Sequence, residues 1–342
     1  IMGLIYALIV LSFFSLILIN ISWVITNFYF FIVEGVQTVI VGSTFAENIY
    51  FSNYLKWIIL FDTLWISIFL IFLFNRKNFM TDSNLHYLDY RPILEHKVCV
   101  VIPAYNEELA IEQTIKDFLK QKNVEHVIVI DNHSDDQTAN LAKKSGALVI
   151  TKNQNMGYAH SWLVGFRESL KTDANVTVVC DADGTFNAYD LDKMIPYLDN
   201  CDMVIGNRMV QILSEKDNQN SIFLVWGNAF IAKLLQIKYF SIRHLGIIQV
   251  NDAGCSYRCI RNESLKLIID DFVDPVSDNL LFGANSITIG MFTTAKVIEH
   301  YLKIVEIPIT FKKRVGTSKT QATKKLFALK YGLNMIWYII KS

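Results

Sequence analysis

The chain has 342 residues, 52% hydrophobic and 19% charged, with a mean hydropathy of +0.30. Its 32 cationic side chains balance 32 acidic ones, which removes any global electrostatic case for a nucleic-acid partner and excludes a disordered acidic chain. Five cysteines without regular pairing in a chain of this length do not make a disulfide scaffold.

The apolar excess lies at the amino terminus. Residues 1–33 carry no charged side chain, and up to Leu55 the only full charges are Glu34 and Glu47. A bilayer core takes about 20 apolar residues in a helix. Met2 to Val33 and Trp57 to Phe74 each meet that length, and the first lacks the basic leader and cleavage site of a signal peptide. Residues 1–75 are therefore expected to hold two transmembrane helices joined by a short non-cytoplasmic loop, with 76–96 as a linker. No Lys or Arg precedes Lys56 in that loop, whereas Arg76 and Lys77 follow the second run. The positive-inside rule then places the rest of the chain in the cytoplasm, on an integral membrane protein of a prokaryotic plasma membrane or a eukaryotic endoplasmic reticulum. Cys99 and Cys180 sit in apolar runs, and Cys255 and Cys259 lack further ligands at zinc spacing.

From Lys97 onward the pattern alternates. Short apolar runs at Val98–Ile102, Val127–Ile130, Ala147–Ile150, Val176–Cys180 and Met203–Ile205 predict buried strands. Helical spacing falls at Glu107–Gln121 and Asp135–Lys144. The expected fold class is α/β with a mostly parallel sheet. Ligands of such sheets bind beyond the carboxyl ends of the strands. There the sequence places Pro-Ala-Tyr-Asn-Glu (103–107), Asp-Asn-His-Ser-Asp-Asp (131–136), Asn-Met-Gly-Tyr-Ala (155–159), Asp-Ala-Asp-Gly (181–184) and Gly-Asn-Arg (206–208). Adjacent carboxylates with oxygen donors suit Mg²⁺ or Mn²⁺. Asp190, on the following helix, reads as a solvated cap.

These motifs, in this order, resemble the family 2 glycosyltransferases of the GT-A fold, above all the branch of dolichol-phosphate mannose and glucose synthases. The resemblance spans 97–320 and extends to Asn251–Arg258, Glu306–Ile309 and Arg314–Lys319. It implies a GT-A catalytic domain that takes a sugar from a GDP- or UDP-linked nucleotide-sugar donor. Pro103, Ala104, Tyr105, Glu107 and Asp131 would line the nucleoside. Asp181 and Asp183 would hold a Mg²⁺ or Mn²⁺ ion on the diphosphate, with Arg208 contacting phosphate. Thr185 stands where some relatives carry a Gln ligand.

An inverting transfer to a hydroxyl needs a base, for which Asp252 is the candidate, whereas a phosphate monoester is already ionised near neutral pH. From Ile307 to Ser342 there are eight Lys or Arg and no acid. A polyprenyl or dolichyl phosphate acceptor is expected, held by Arg258, Arg314 and Lys319; Asp183, Arg208 and Asp252 form the catalytic set. Residues 321–342, with Leu326, Leu329, Leu333, Ile336, Trp337 and Ile340 among lysines, predict a basic amphipathic helix at the membrane interface. The alternative packs that helix on the catalytic domain. A glycan or glycolipid hydroxyl acceptor, and an inactive GT-A-like scaffold, are the competing functions.

Overall fold

The structure is a computed structural model and describes residues 12–23, 25, 28, 53–75, 87–241, 248–272, 288–318 and 325–341. The chain divides into two compact units, residues 1–77 with 340–342 and residues 78–339. In the first, the second apolar run forms helix α1, Asn53–Asn75. Trp65 stacks on Phe69 at 5.1 Å and meets Phe13 at 5.9 Å. Trp57, Ile59, Leu60 and Leu64 are exposed. Among the described residues no helix is long and apolar enough to cross a membrane, so the two expected spans find no support there. α1 carries Lys56 and Asp62 within it, and most of the Met2–Val33 run lies outside the described residues.

The second unit is built on seven strands: β1 (Val98–Ala104), β2 (Val124–Asp131), β3 (Leu148–Thr151), β4 (Val176–Val179), β5 (Met203–Asn207), β6 (Arg258–Arg261) and β7 (Ile304–Pro308). They form one sheet in the order β3-β2-β1-β4-β6-β5-β7. All neighbours pair in parallel except β6, which runs antiparallel to both β4 and β5. The α/β expectation is borne out. Every residue of β1 is buried, as an unbroken apolar run covered on both faces requires. All five cysteines are free and buried, so they act as small core side chains.

Helices pack on this sheet by ordinary amphipathic spacing. α2 (Ile111–Leu119) buries Ile111, Thr114, Ile115 and Phe118. It starts four residues later than the apolar spacing predicts, because Ala110 and Ile111 both donate to the Glu107 carbonyl in a turn. α3 (Thr138–Lys144) likewise starts late, since Asp136 Oδ1 accepts from the Thr138 amide at 2.9 Å. α4 (Tyr158–Ser169) lies so close to β1 that a Cβ on Gly165 would stand 2.1 Å from Val101 Cγ1. That contact sets the position of α4 and of Tyr158 at its start.

Next come α5 (Ile222–Lys238), α6 (Asn262–Ile268), α7 (Ile289–Glu299) and α8 (Lys325–Lys341). Near the end of α8, Tyr338 and Ile339 are buried, with the Tyr338 ring 5.4 Å from Phe292. Leu329, Leu333 and Trp337 on the same helix are exposed. The expected linker is tied down at its end: the Arg91 amide donates to the Asp199 carbonyl at 2.8 Å, and Arg91 pairs with Asp202 at 3.1 Å.

Candidate active site

Because the strands other than β6 are parallel, their carboxyl ends share one edge, and the loop entering antiparallel β6 reaches the same edge. The β1 and β2 loops clasp each other there. The Asn132 amide donates to the Ala104 carbonyl at 2.9 Å. Asn106, left-handed at φ 54°, donates its amide to Ser134 Oγ and accepts from the Asp135 amide. Pro103, Ala104 and Asp131 are buried and Tyr105 is half-buried. Asp131 Oδ1 accepts from the Ser134 amide at 3.2 Å. Beside it, the buried Lys152 ammonium donates to Asn132 Oδ1 at 3.1 Å and Ser161 Oγ at 2.7 Å. Burial outweighs the attraction of Asp131 and brings the Lys152 pKa down to about 8.

β4 ends at Val179, and Asp181 and Asp183 follow. Asp181 accepts from the Tyr158 hydroxyl on Oδ1 and from Ser256 Oγ on Oδ2, both at 2.6 Å. Burial, reinforced by the charge of Asp183, pushes the Asp181 carboxyl above its ordinary value. Asp183 is buried, and its Oδ1 accepts from the Thr185 amide at 3.1 Å and hydroxyl at 2.6 Å. Its Oδ2 meets the Arg314 guanidinium, whose other terminal nitrogen meets Glu107 Oε1. Gly184, at φ 76°, lets the chain turn between Asp183 and Thr185.

After β5, Arg208 closes on Asp252 in a fork. Its Nε and backbone amide bond Oδ2 at 2.8 and 3.0 Å, and Nη2 bonds Oδ1 at 2.8 Å. Asn228 adds a donor to Oδ1 at 2.9 Å, and the Asp252 amide is held by Glu306 at 2.6 Å. Burial alone would raise the fully buried Asp252 carboxyl; the Arg208 guanidinium prevails and holds it below the usual range. Burial would lower Arg208, but Asp252 outweighs it and keeps the guanidinium charged. Arg208 also lies over the Phe311 ring, 5.4 Å from its centroid.

Two sequence readings need correction. Arg258, expected at the acceptor phosphate, is completely buried, with bonds to the Cys255 and Ala253 carbonyls and Thr294 Oγ1. It begins β6, so its side chain is spent on holding the 253–258 turn against α7. Asp190, expected at the surface, is completely buried, where it takes the Thr310 amide at 2.8 Å and Lys193 at 2.5 Å. Lys319 lies outside the described residues. Sequence reasoning named the Asn-Met-Gly-Tyr and 251–258 segments yet assigned no role to Tyr158 or Ser256, the two side chains that orient Asp181. It named Glu306 without a role and did not name Asn228; these two orient Asp252.

The donor set fits a hard divalent cation. Asp181 and Asp183 offer carboxylate oxygens only, and the hydrogen-bond partners of Asp181 are neutral hydroxyls, which leave its charge uncompensated by a direct ion pair. Ions of the Mg²⁺ type commonly take one or two carboxylates and complete their shell with water and substrate phosphate. Among the described residues, the group of three ligand side chains close enough to share an ion is Glu125, His126 and Asp173, at the opposite end of the sheet.

A mostly parallel sheet with polar side chains converging on its carboxyl edge is the architecture of an α/β protein, whose ligands bind at that edge. The sequence model described as "Glycosyl transferase family 2" matches residues 99–268. An undecaprenyl-phosphate mannosyltransferase of Micrococcus luteus is 26% identical over 232 residues, 65% of this chain and 87% of that protein. A polyprenol monophosphomannose synthase of Mycolicibacterium smegmatis is 26% identical over 231 residues, 65% of this chain and 80% of that one. Among solved structures, a glucosyl-3-phosphoglycerate synthase of Mycobacterium tuberculosis, crystallised with Mn²⁺, UDP-glucose and phosphoglyceric acid, aligns with a TM-score of 0.49 at 16% identity over 72% of this chain and 80% of that chain. The chain belongs to glycosyl transferase family 2.

Proposed function

We propose that this glycosyltransferase moves a sugar, with inversion, from a GDP- or UDP-linked donor to a polyprenyl phosphate at a membrane surface. The observation that carries the acceptor choice is the state of Asp252. Both its oxygens are bonded by Arg208 and its carboxyl is held below the usual range, so it is a poor base for a sugar hydroxyl. A phosphate monoester needs no base, because its second pKa is about 6. The names of the two relatives, an undecaprenyl-phosphate mannosyltransferase and a polyprenol monophosphomannose synthase, agree with that choice.

Asp181 and Asp183 would hold Mg²⁺ or Mn²⁺, which neutralises charge on the leaving nucleoside diphosphate. Tyr158 and Ser256 keep Asp181 turned toward that position, and Thr185 does so for Asp183. Arg208 places positive charge beside the diphosphate, and so does Arg314, expected from the sequence at the acceptor phosphate but bonded to Asp183 and Glu107; Asp131 with the clasped β1 and β2 loops receives the nucleoside. Exposed Ile212, Ile222, Phe223 and Trp226, together with Leu329, Leu333 and Trp337, suit contact with lipid. This supports a membrane-held enzyme, and the cytoplasmic face is the side on which Arg76 and Lys77 would place the catalytic unit.

The test supplies washed membranes containing the full chain with labelled GDP-mannose, UDP-glucose or UDP-N-acetylglucosamine, plus a polyprenyl phosphate or a glycolipid. A chloroform-soluble, mild-acid-labile product that needs the polyprenyl phosphate and disappears with a chelator is expected. Label on a hydroxyl acceptor alone would refute the acceptor assignment.

A further inference from the structure

Arg314 lies in the segment after β7, and that segment is strapped over the Asp181–Thr185 loop. The Lys312 amide donates to the Thr185 carbonyl at 2.7 Å, and the Val315 amide to the Asp183 carbonyl at 3.0 Å. Thr310 is anchored on Asp190 and Lys313 on Glu215, so the strap is held at several points. From it the Arg314 guanidinium reaches down and bridges Asp183 Oδ2 and Glu107 Oε1.

Three features of this arrangement bear on how ligands enter. Both oxygens of Asp183 are already engaged, Oδ1 by Thr185 and Oδ2 by Arg314. A dication and a guanidinium sharing Oδ2 would repel each other at short range in a largely desolvated place. The Nε of Arg314 is buried with no hydrogen-bond partner, an uncompensated donor in the present arrangement.

We infer that Arg314 is an exchangeable counter-cation, which yields Asp183 to a divalent ion when a nucleoside diphosphate is present to take the guanidinium, so that metal and nucleotide reinforce each other's binding. Leaving Asp183 with nowhere to go would cost the guanidinium charge-assisted bonds. A diphosphate offers it equivalent fork-type acceptors and a partner for Nε. Linkage makes the effect reciprocal: nucleotide strengthens metal binding by the same factor as metal strengthens nucleotide binding. The inference rests on the proposed donor and metal assignment and adds to it the residue that couples the two ligands.

The experiment follows free Mn²⁺ by its electron paramagnetic resonance signal. The full-length protein is titrated with and without GDP or UDP, after correction for Mn²⁺–nucleotide complexes measured without protein. In the unaltered protein, saturating nucleotide should tighten Mn²⁺ binding about tenfold or more. Arg314→Gln should bind Mn²⁺ about tenfold more tightly than the unaltered protein in the absence of nucleotide, and nucleotide should then add less than about threefold. Arg314→Lys keeps a point charge on Asp183 and should stay weak without nucleotide. It serves as the second variant should Arg314→Gln fail to fold, as judged by thermal unfolding. Arg314→Gln that binds Mn²⁺ no more tightly than the unaltered protein, or Arg314→Lys that binds it as tightly as the nucleotide-saturated protein, overturns the inference while the metal assignment stands. Mn²⁺ binding that survives Asp183→Asn unchanged refutes the metal assignment itself, and the inference with it.

Discussion

Two clusters of charge sit at opposite ends of one sheet, and they respond to their surroundings in opposite directions. At the amino end, Asp173 takes His126 at 2.7 Å and Lys97 at 3.3 Å. These hydrogen bonds hold its carboxyl below the ordinary value, and 60% of its side chain faces water. At the carboxyl end Asp181 is raised, because burial and the neighbouring Asp183 act against its charge. The amino-end cluster has three ligand side chains within reach of one ion and the carboxyl-end motif has two carboxylates. Counting ligands would choose the amino end, whereas the proposed metal site lies at the carboxyl end. Exposed charges are already stabilised by water, so little is gained by giving them a cation; partly desolvated like charges gain much more.

The largest expected effect tests the carboxyl end directly. Asp183→Asn keeps the size of the side chain and part of its bonding to Thr185, so the protein should remain folded. Sugar transfer should fall on the order of a hundredfold or more across a Mg²⁺ and Mn²⁺ titration. A folded variant working at full rate would move the chemistry away from this edge and undo the contrast between the two ends.

Next in size is Asp252→Ala, which leaves the Arg208 guanidinium without its carboxylate. Breaking such a buried pair costs about 3–5 kcal/mol, read as a drop in urea unfolding free energy at neutral pH. The pH dependence follows from the lowered carboxyl of Asp252. Its contribution is complete above the ordinary carboxylate range, about pH 4, and is lost as pH falls through the lowered folded-state value. The gap between the unaltered protein and Asp252→Ala should therefore narrow in acid. A constant gap down to the acid limit would show that Asp252 is not held ionised by Arg208.

Asp190→Ala sharpens the distinction between buried and exposed carboxylates of the same sequence type. It removes the buried acceptor of the half-buried Thr310 amide, at a cost of about 1–3 kcal/mol. An unchanged unfolding midpoint would return Asp190 to the solvated role that its sequence context suggests. The smallest effect belongs to the amino end. Asp173→Asn should leave transfer rate, metal dependence and unfolding midpoint at their original values, and a loss of metal response there would reverse the comparison.

Much of the site was legible because strands buried on both faces are unbroken apolar runs, and their ends are marked by an abrupt change to polar residues. Val98–Ile102 before Pro103, Val127–Ile130 before Asp131 and Val176–Cys180 before Asp181 all follow that rule, which places Glu107, Asp131, Asp181 and Asp183 on one edge. β6 escaped detection because its four residues are Arg-Cys-Ile-Arg, with an arginine at each end. Arginine reads as surface or as a ligand for phosphate, and no local pattern announces that Arg258 spends its guanidinium on carbonyls inside the protein.

What the sequence by itself determined, then, is the alternation of strands and helices, the edge that carries the candidate site and the acidic pair at its centre, since all of these are local consequences of apolar period and turn chemistry. The tertiary structure alone decided which carboxylates carry which partners. Arg314 meets Asp183 across 131 residues and Glu107 across 207, Thr310 covers Asp190 across 120, and Arg208 closes on Asp252 across 44. Burial and ion pairing are properties of what the fold brings together from far along the chain. Only those long-range contacts separate a carboxylate forked by arginine, as Asp252 is, from one held by neutral hydroxyls, as Asp181 is.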